Sequence, residues 1–412
     1  MLNVWLVNPF DSLPGEAFSE WRYAFLARFL SDMGYHVVWW SSTFSHLFKR
    51  QRDIHTIRSA VSEGVTVKLL DTPPYKSNVS IQRLVNQRVY AKQFMKKAIS
   101  FKPSPDVIIA SCPPLDSAWA AIKVARALNT KIIIDIQDLW PEVLQLIFPA
   151  KVKDIAKWIF YPLKKWEDRV FQRSDGISAV SYDYLRRALA VHKSQKTAAV
   201  IHLGIDLQKF DRAASLSRLP LIEKGEKEFW VIYVGNLGIA NDLETVLYAA
   251  DLAQKEGLKK IRFLFAGIGD MLPKLQEISQ MLGLKNISFL GLLHHEDLVQ
   301  VLRESDVAVN AIKPESNIFF PNKVFDYFAA GLPVINSIIG GELEALLKDN
   351  EIGLQYIAKD AGSLYHSIKK IYDDQRKGKT MGAKARRLAE KVFDRRIEYK
   401  KFIELINEVI SN

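Results

Sequence analysis

Asn322, Lys323 and Asp326 open the stretch of this chain best suited to chemistry, Phe319-Phe320-Pro321-Asn322-Lys323-Val324-Phe325-Asp326-Tyr327-Phe328-Ala329-Ala330-Gly331-Leu332-Pro333-Val334-Ile335. Val324, Phe325 and Phe328 recur at helical spacing, Gly331 stands where a left-handed C-cap belongs, and Pro333 prevents continuation. The spacing predicts a loop, a short helix, a glycine stop and a buried strand. Backbone N–H groups and a lysine at a helix start attract a diphosphate. A carboxylate one turn later accepts hydrogen bonds from a ribose. An ordinary amphipathic helix with a solvated Lys323 meets the same spacing, and these residues alone leave both readings open.

Other candidates follow short apolar runs. Gly235-Asn236-Leu237-Gly238 comes after Phe229–Val234, and its two glycines allow close approach of a phosphate while Asn236 offers uncharged donors. Gly267-Ile268-Gly269 comes after Ile261–Ala266. Pro14-Gly15 lies in the loop that follows the first run, where a plain strand–helix turn is an equal reading. Asp138, with Trp140, Pro141 and Glu142 after it, stands just past Lys131–Ile136. A carboxylate there can accept a proton or touch a sugar. A helix N-cap at Asp138, with Pro141 in the first turn, fits as well. His202, ahead of Gly204-Ile205-Asp206, reads as part of a hinge. The eight histidines show no HExxH spacing and Cys112 is the only cysteine, so neither a disulfide nor a cysteine-rich metal site is expected.

In order and spacing, over roughly residues 1 to 400, these segments resemble the retaining family 4 glycosyltransferases. Asp135-Ile136-Gln137-Asp138-Leu139-Trp140-Pro141-Glu142 brings the chain nearest to bacterial amino-sugar transferases of capsule and O-antigen assembly, where a DLWPE-type segment recurs. The resemblance implies a GT-B fold, two doubly wound Rossmann-like α/β domains facing each other across a cleft. It implies a donor site of Gly235, Asn236, Gly238, Gly267, Gly291, Leu292, Asn322, Lys323 and Asp326. Pro14 and Gly15 would approach donor and acceptor, and Asp138 or Glu142 would replace a histidine common among relatives. A UDP-sugar or related nucleotide-diphosphate sugar is then the substrate, with no cofactor, no metal, and retention of anomeric configuration.

The chain departs from the family pattern at several places. Asp326 takes the second position of the paired-glutamate signature, and Ile318 takes the first. Glu315, three residues earlier, is a substitute if the loop differs. Ile318-Phe319-Phe320 would suit a methyl or acetyl group, which implies an N-acetylated or deoxy hexose. Asn236 and Asn241 stand where many relatives carry an arginine and a lysine.

These residues need elements to hold them. Apolar runs at Val4–Asn8, His36–Ser41, Val65–Leu70, Asp106–Ser111, Lys131–Ile136, Gly176–Ser181 and Ala198–His202 alternate with amphipathic segments. That pattern means a parallel sheet covered on both faces. The plan repeats with Phe229–Val234, Ile261–Ala266, Asn286–Leu290, Asp306–Asn310 and Pro333–Ser337. With this plan the resemblance implies domains of 1–205 for the acceptor and 206–385 for the donor, and a helical 386–412 that returns to the first domain.

Length and charge set the bounds. A chain of 412 residues suits two domains. Residues 1–205 hold 28 Lys and Arg against 17 Asp and Glu, whereas residues 206–412 hold 29 of each, so the whole net charge of +11 lies in the first half. Such asymmetry implies an anionic partner. Arg88, Lys92 and Lys96 fall four apart on a helix expected to turn Leu84, Val89 and Phe94 to its other side. Residues 151–173 interleave Lys157, Lys164 and Lys165 with Trp158, Ile159, Phe160, Tyr161 and Trp166. This pattern suits an anionic membrane surface. A solvated helix with inward aromatics is the alternative, and no nucleic-acid-binding module is present. No apolar run is long enough to span a bilayer and no signal peptide is read. The expectation is a cytoplasmic enzyme peripheral on the inner face of the membrane, with a polyprenyl-diphosphate-linked saccharide as acceptor. A UDP-N-acetylglucosamine 2-epimerase and a non-catalytic polysaccharide-assembly module are the two other readings.

Overall fold

The computed structural model describes residues 2–16, 21–52, 64–78, 80–140, 153–192, 194–216, 222–316 and 318–412, with backbone only for 153–157. The chain forms two compact units, Met1–His202 with Tyr399–Asn412, and Leu203–Glu398.

In the first unit, β1 (Asn3–Val7), β2 (His36–Ser42), β5 (Val65–Leu70), β6 (Val107–Cys112), β7 (Lys131–Ile136), β8 (Gly176–Ala179) and β9 (Ala198–Val200) form one sheet in the order β5-β2-β1-β6-β7-β8-β9. Every pairing is parallel. A small antiparallel pair, β3 (Phe44–Ser45) with β4 (Arg50–Gln51), follows β2. The near-continuous apolar runs become strands buried on both faces, as helices covering a parallel sheet require. Trp5, Trp39 and Trp40 are fully or almost fully buried among them.

The second unit has β10 (Phe229–Val234), β11 (Ile261–Ala266), β12 (Ile287–Gly291), β13 (Val307–Asn310), β14 (Val334–Asn336) and β15 (Gly353–Gln355), all parallel, in the order β12-β11-β10-β13-β14-β15. Sequence reading does not anticipate β15, which is three residues long and begins with a glycine. A Cβ on Gly353 would stand 2.2 Å from the Val334 carbonyl oxygen, so the glycine lets this edge strand close onto β14.

The return to the first unit comes later than residue 386. Helix Gln375–Leu388 runs into the π-turn Ala389–Phe393, and Phe393 packs on Phe320, Phe325 and Phe328 in the second unit's core. Ile205 donates its N–H to Phe393 O and accepts from Arg395 N, both at 2.9 Å, which ties both ends of the second unit together. Only from Tyr399 does the chain belong to the first unit. There helix Lys400–Ser411 buries Phe402, Leu405, Ile406 and Val409. Gly176 makes room for it, because a Cβ there would meet Val409 Cγ2 at 2.6 Å.

Candidate functional site

Ligands of open parallel sheets bind beyond the carboxyl ends of the strands. In the second unit that rim is built from glycine loops pressed together. Gly235, just past β10, has φ +125°, and a Cβ on it would lie 3.4 Å from Lys323 Cε. Gly267, just past β11, has φ +146°, and its Cβ would strike the Gly235 carbonyl oxygen at 1.9 Å. The loops are hydrogen-bonded through Gly235 N–H to Ala266 O (2.9 Å), Leu237 N–H to Ile268 O (2.9 Å) and Gly267 N–H to Gly291 O (2.7 Å). Gly238 presses on the Asn236 amide, with Nδ2 2.8 Å from where its Cβ would be. Leu292, past the end of β12, is 65% exposed on the same rim. The glycines therefore serve loop packing and clear a space for one lysine.

That lysine is not solvated. Lys323 begins the helix Lys323–Ala329 and is half-buried. Its Nζ donates to Tyr233 Oη at 2.7 Å, lies 4.0 Å from the centre of that ring, and reaches Asn241 Oδ1 at 3.4 Å. Tyr233 in turn donates to the Asn236 carbonyl (2.9 Å), which also accepts from Asn241 Nδ2 (2.8 Å). Among the described residues no carboxylate stands within 4.0 Å of Lys323, and burial lowers its pKa to about 7. Asp326, half-buried one turn on, is pushed up to about 6 by burial, with the charge of Arg395 opposing. Asn322 is exposed and its side chain makes no cap bond. Tyr233 escapes sequence reading because it sits in an all-buried strand that carries no polar signal.

The apolar triplet ahead of this helix is not wholly free for a sugar. Phe320 is buried and stacks on Phe325, ring centres 5.0 Å apart. Ile318 is half-buried against the same core. Glu315, three residues before Ile318, is exposed and pairs with Lys359.

In the first unit the loop after β1 is clamped. Arg52 donates to Glu16 Oε1 (2.9 Å), Ser41 Oγ (2.8 Å), Ser42 O (2.8 Å) and Asp11 O (2.8 Å). Pro14 and Gly15 lie inside this clamped loop, with Gly15 exposed at φ +82°. Beneath it Asp135 holds Arg22 through two bonds, Nη2 to Oδ1 at 2.8 Å and Nε to Oδ2 at 2.9 Å. Ser178 Oγ donates to Asp135 Oδ1 at 2.7 Å, and Arg22 Nη1 donates to the His202 carbonyl at 3.1 Å. Burial raises Asp11 to about 6. Asp138 accepts from Leu139 N–H at 2.9 Å and from the Tyr184 hydroxyl at 3.4 Å. Glu142 and the side chain of Lys157 lie outside what the structure describes.

The outer helices carry the basic candidates. Arg88, Lys92 and Lys96 are exposed on helix Ile81–Ala98. Leu84, expected to face inward, is 46% exposed instead, beside exposed Ile81 and Val85, while Phe94 is buried. The spacing of Ile81, Leu84, Val85 and Arg88 puts apolar and cationic groups on one face. On helix Lys153–Arg173, Trp158, Ile159 and Tyr161 are exposed with Lys164 and Lys165, whereas Phe160 and Trp166 are half-buried, so the Trp158 and Tyr161 rings are not turned into the core. Among the described residues no helix is long and apolar enough to cross a membrane.

Two family models match, one in each half: "Glycosyltransferase Family 4" over residues 20–209 and "Glycosyl transferases group 1" over residues 228–374. Together they support a family 4 type of glycosyltransferase architecture. A protein of Bacillus subtilis (strain 168) whose name assigns it as glycosyltransferase EpsD is 23% identical over 58% of this chain and 62% of its own length. One of Escherichia coli (strain K12), assigned by name as the colanic acid biosynthesis glycosyl transferase WcaI, is 22% identical over 62% of this chain and 63% of its own. The chain thus spans about three-fifths of the length of these curated relatives. Among solved structures, sucrose-phosphate synthase from Thermosynechococcus elongatus superposes with TM-score 0.73 at 18% identity, covering all of both chains. HepE of Anabaena in complex with UDP superposes with TM-score 0.69 at 14% identity, covering 99% of this chain and 100% of HepE. These likenesses, with the two parallel-sheet units, show the GT-B fold.

Proposed function

We propose that this chain is a glycosyltransferase of surface-polysaccharide biosynthesis that takes a sugar from a UDP-linked donor and passes it to a lipid-linked saccharide. The observation that carries the reading is Lys323. It is a half-buried cation at a strand-end rim, held by a tyrosine ring and hydroxyl, with no carboxylate within 4.0 Å among the described residues. A diphosphate supplies the missing charge, and Lys323 stabilises it as it leaves with the sugar bond broken. Asp326 offers a carboxylate one helical turn away for the ribose. The relatives add support: EpsD and WcaI are glycosyltransferases by name, and HepE has solved structures with UDP and with UDP-glucose.

The donor sugar in this reading is an N-acetylated or deoxy hexose, since Ile318 replaces a glutamate that would grip a hydroxyl. Retention, metal independence and the role of Asp138 as proton acceptor belong to the same proposal. The exposed rings and lysines of the first unit favour peripheral contact with an anionic membrane, where a lipid-linked acceptor resides.

A metal-free titration of UDP, GDP and dTDP against wild type and Lys323→Ala tests the donor half. UDP-selective binding that is lost in the variant is the expected result. Binding of none of the three by wild type would overturn the reading in favour of a non-catalytic assembly role. Acceptor-free turnover of UDP-N-acetylglucosamine would move it to an epimerase.

A further inference from the structure

Among the described residues the first unit also holds a cation with no carboxylate within 4.0 Å, the charge of Asp138 acting on it only from farther away. Arg83 sits in the first turn of helix Ile81–Ala98, its guanidinium carbon 5.0 Å from the centre of the Phe10 ring and 5.3 Å from that of Trp140. Nη1 donates to the Asn78 carbonyl at 2.6 Å. Nε is buried and has no acceptor. A guanidinium carries five N–H donors in a rigid fork, so most of this one is unused among the described residues. Two rings flank the guanidinium while Nε and Nη2 make no hydrogen bond among the described residues, which leaves the paired donors that grip an oxyanion.

A second charge stands beside it. Lys49 Nζ lies 2.6 Å from Asn78 Oδ1, on the same residue whose carbonyl holds Arg83, and 4.9 Å from the centre of the Tyr75 ring. Arg52, also at this rim, is neutralised by Glu16, whereas neither Lys49 nor Arg83 has a carboxylate within 4.0 Å among the described residues. The local field is accordingly positive: Lys49 is lowered to about 8 by burial and then by Arg83. Phe10, Asn78 and Trp140 follow β1, β5 and β7, and Lys49 lies in the turn between β3 and β4 that comes after β2, so the cluster occupies the strand-end rim of the sheet where ligands bind. Asp138 lies two residues before Trp140 on the same rim.

We propose that Arg83, assisted by Lys49, binds the diphosphate of a prenyl-linked acceptor. The proposal rests on the transferase reading above and adds where the acceptor's charge is held. The apolar part of such a ligand has a matching surface, because Ile81, Leu84 and Val85 lie exposed on the same helix, around Arg83 in its first two turns. An acidic sugar would use the fork but leave that stripe without purpose.

The test is calorimetric titration of the full chain with inorganic pyrophosphate and with farnesyl diphosphate, both in saturating UDP so that the donor site is filled. Wild type, Arg83→Gln and Arg83→Lys are compared, each checked for an unchanged circular dichroism spectrum. Expected is farnesyl diphosphate binding tighter than pyrophosphate, weakened roughly tenfold or more in Arg83→Gln. Arg83→Lys, which keeps charge but loses the fork, should fall between. UDP affinity, measured separately, should be the same in all three. Equal diphosphate affinity in wild type and both variants overturns the proposal even when UDP binds normally. Failure of UDP to bind any of them instead removes the transferase reading beneath it. If Arg83→Gln loses affinity only for vesicles containing phosphatidylglycerol and not for farnesyl diphosphate, the ligand is a bilayer headgroup and the acceptor assignment falls.

Discussion

Arg22 in the first unit and Lys323 in the second are both cations withdrawn from water, and the chain treats them in opposite ways. Arg22 is answered in full: Asp135 meets it with two bonds, the His202 carbonyl takes a third, and the rings of Tyr399 and Phe402 lie 5.4 and 5.0 Å from its guanidinium carbon. Lys323 receives a phenol, an amide oxygen and an aromatic face, none of them charged. A buried cation with a matched carboxylate is finished as structure. One without is waiting for an anion. The contrast separates scaffold from site more sharply than burial alone does.

The largest break in that comparison should come from Asp135→Asn. It strands the Arg22 charge in the core, and loss of one partner of a buried pair costs about 3–5 kcal/mol. A urea unfolding series should show the midpoint falling by an amount that matches, with UDP affinity unchanged at low urea. A midpoint close to wild type would mean that Arg22 is held by its other contacts.

Lys323→Met should do the reverse. Removing an unanswered charge leaves the urea midpoint unchanged or raises it, while the loss of a charge-assisted bond worth about 1.5–3 kcal/mol weakens UDP roughly ten- to hundredfold. A strong drop in stability with UDP binding intact would make Lys323 structural. Gly235→Ala sharpens the same point with a smaller effect. Its φ of +125° and the 3.4 Å approach to Lys323 Cε predict about 1–3 kcal/mol of strain and a UDP affinity reduced less than in Lys323→Met.

The subtlest expectation concerns pH. Free Lys323 has its pKa lowered to about 7, and only its charged form favours a diphosphate, so UDP affinity should decline as pH rises above 7. Stability of the empty protein runs the other way. From about pH 7 up to the ordinary lysine range the unfolded chain binds a proton that the folded one does not, so unfolding free energy rises with pH through that window. Lys323→Met should flatten both slopes; slopes that persist in the variant would assign them to other groups.

Much of this contrast was legible beforehand on one side only. Lys323 stood out because a polar pair precedes a clear helix pattern and a glycine stop. Arg22 and Asp135 gave no signal, since each lies within an apolar stretch and their meeting spans 113 positions of chain. Strand positions were legible because buried parallel strands are continuous apolar runs. The exception was β15, too short to show a pattern. Leu84 departs from expectation because helical periodicity identifies a face but not which neighbour covers it. The boundary at Tyr399 was hidden for a similar reason: Phe393 and Phe402 are both apolar residues in helical surroundings, and only packing assigns them to different cores.

That boundary bears on how the molecule is made. Leucine, isoleucine and valine from helix Lys400–Ser411 complete the core that begins at Val4, and Tyr399 and Phe402 lie over Arg22. A nascent chain therefore emerges from the ribosome with its first sheet early and one part of that sheet's cover only after residue 398. The Leu203–Glu398 unit has every strand of its own sheet before translation is finished, so it can mature while the earlier-made unit is still incomplete. The order of synthesis and the order of completion are inverted. Chaperone dependence should accordingly track residues 1–202 and fall once residues 399–412 have emerged.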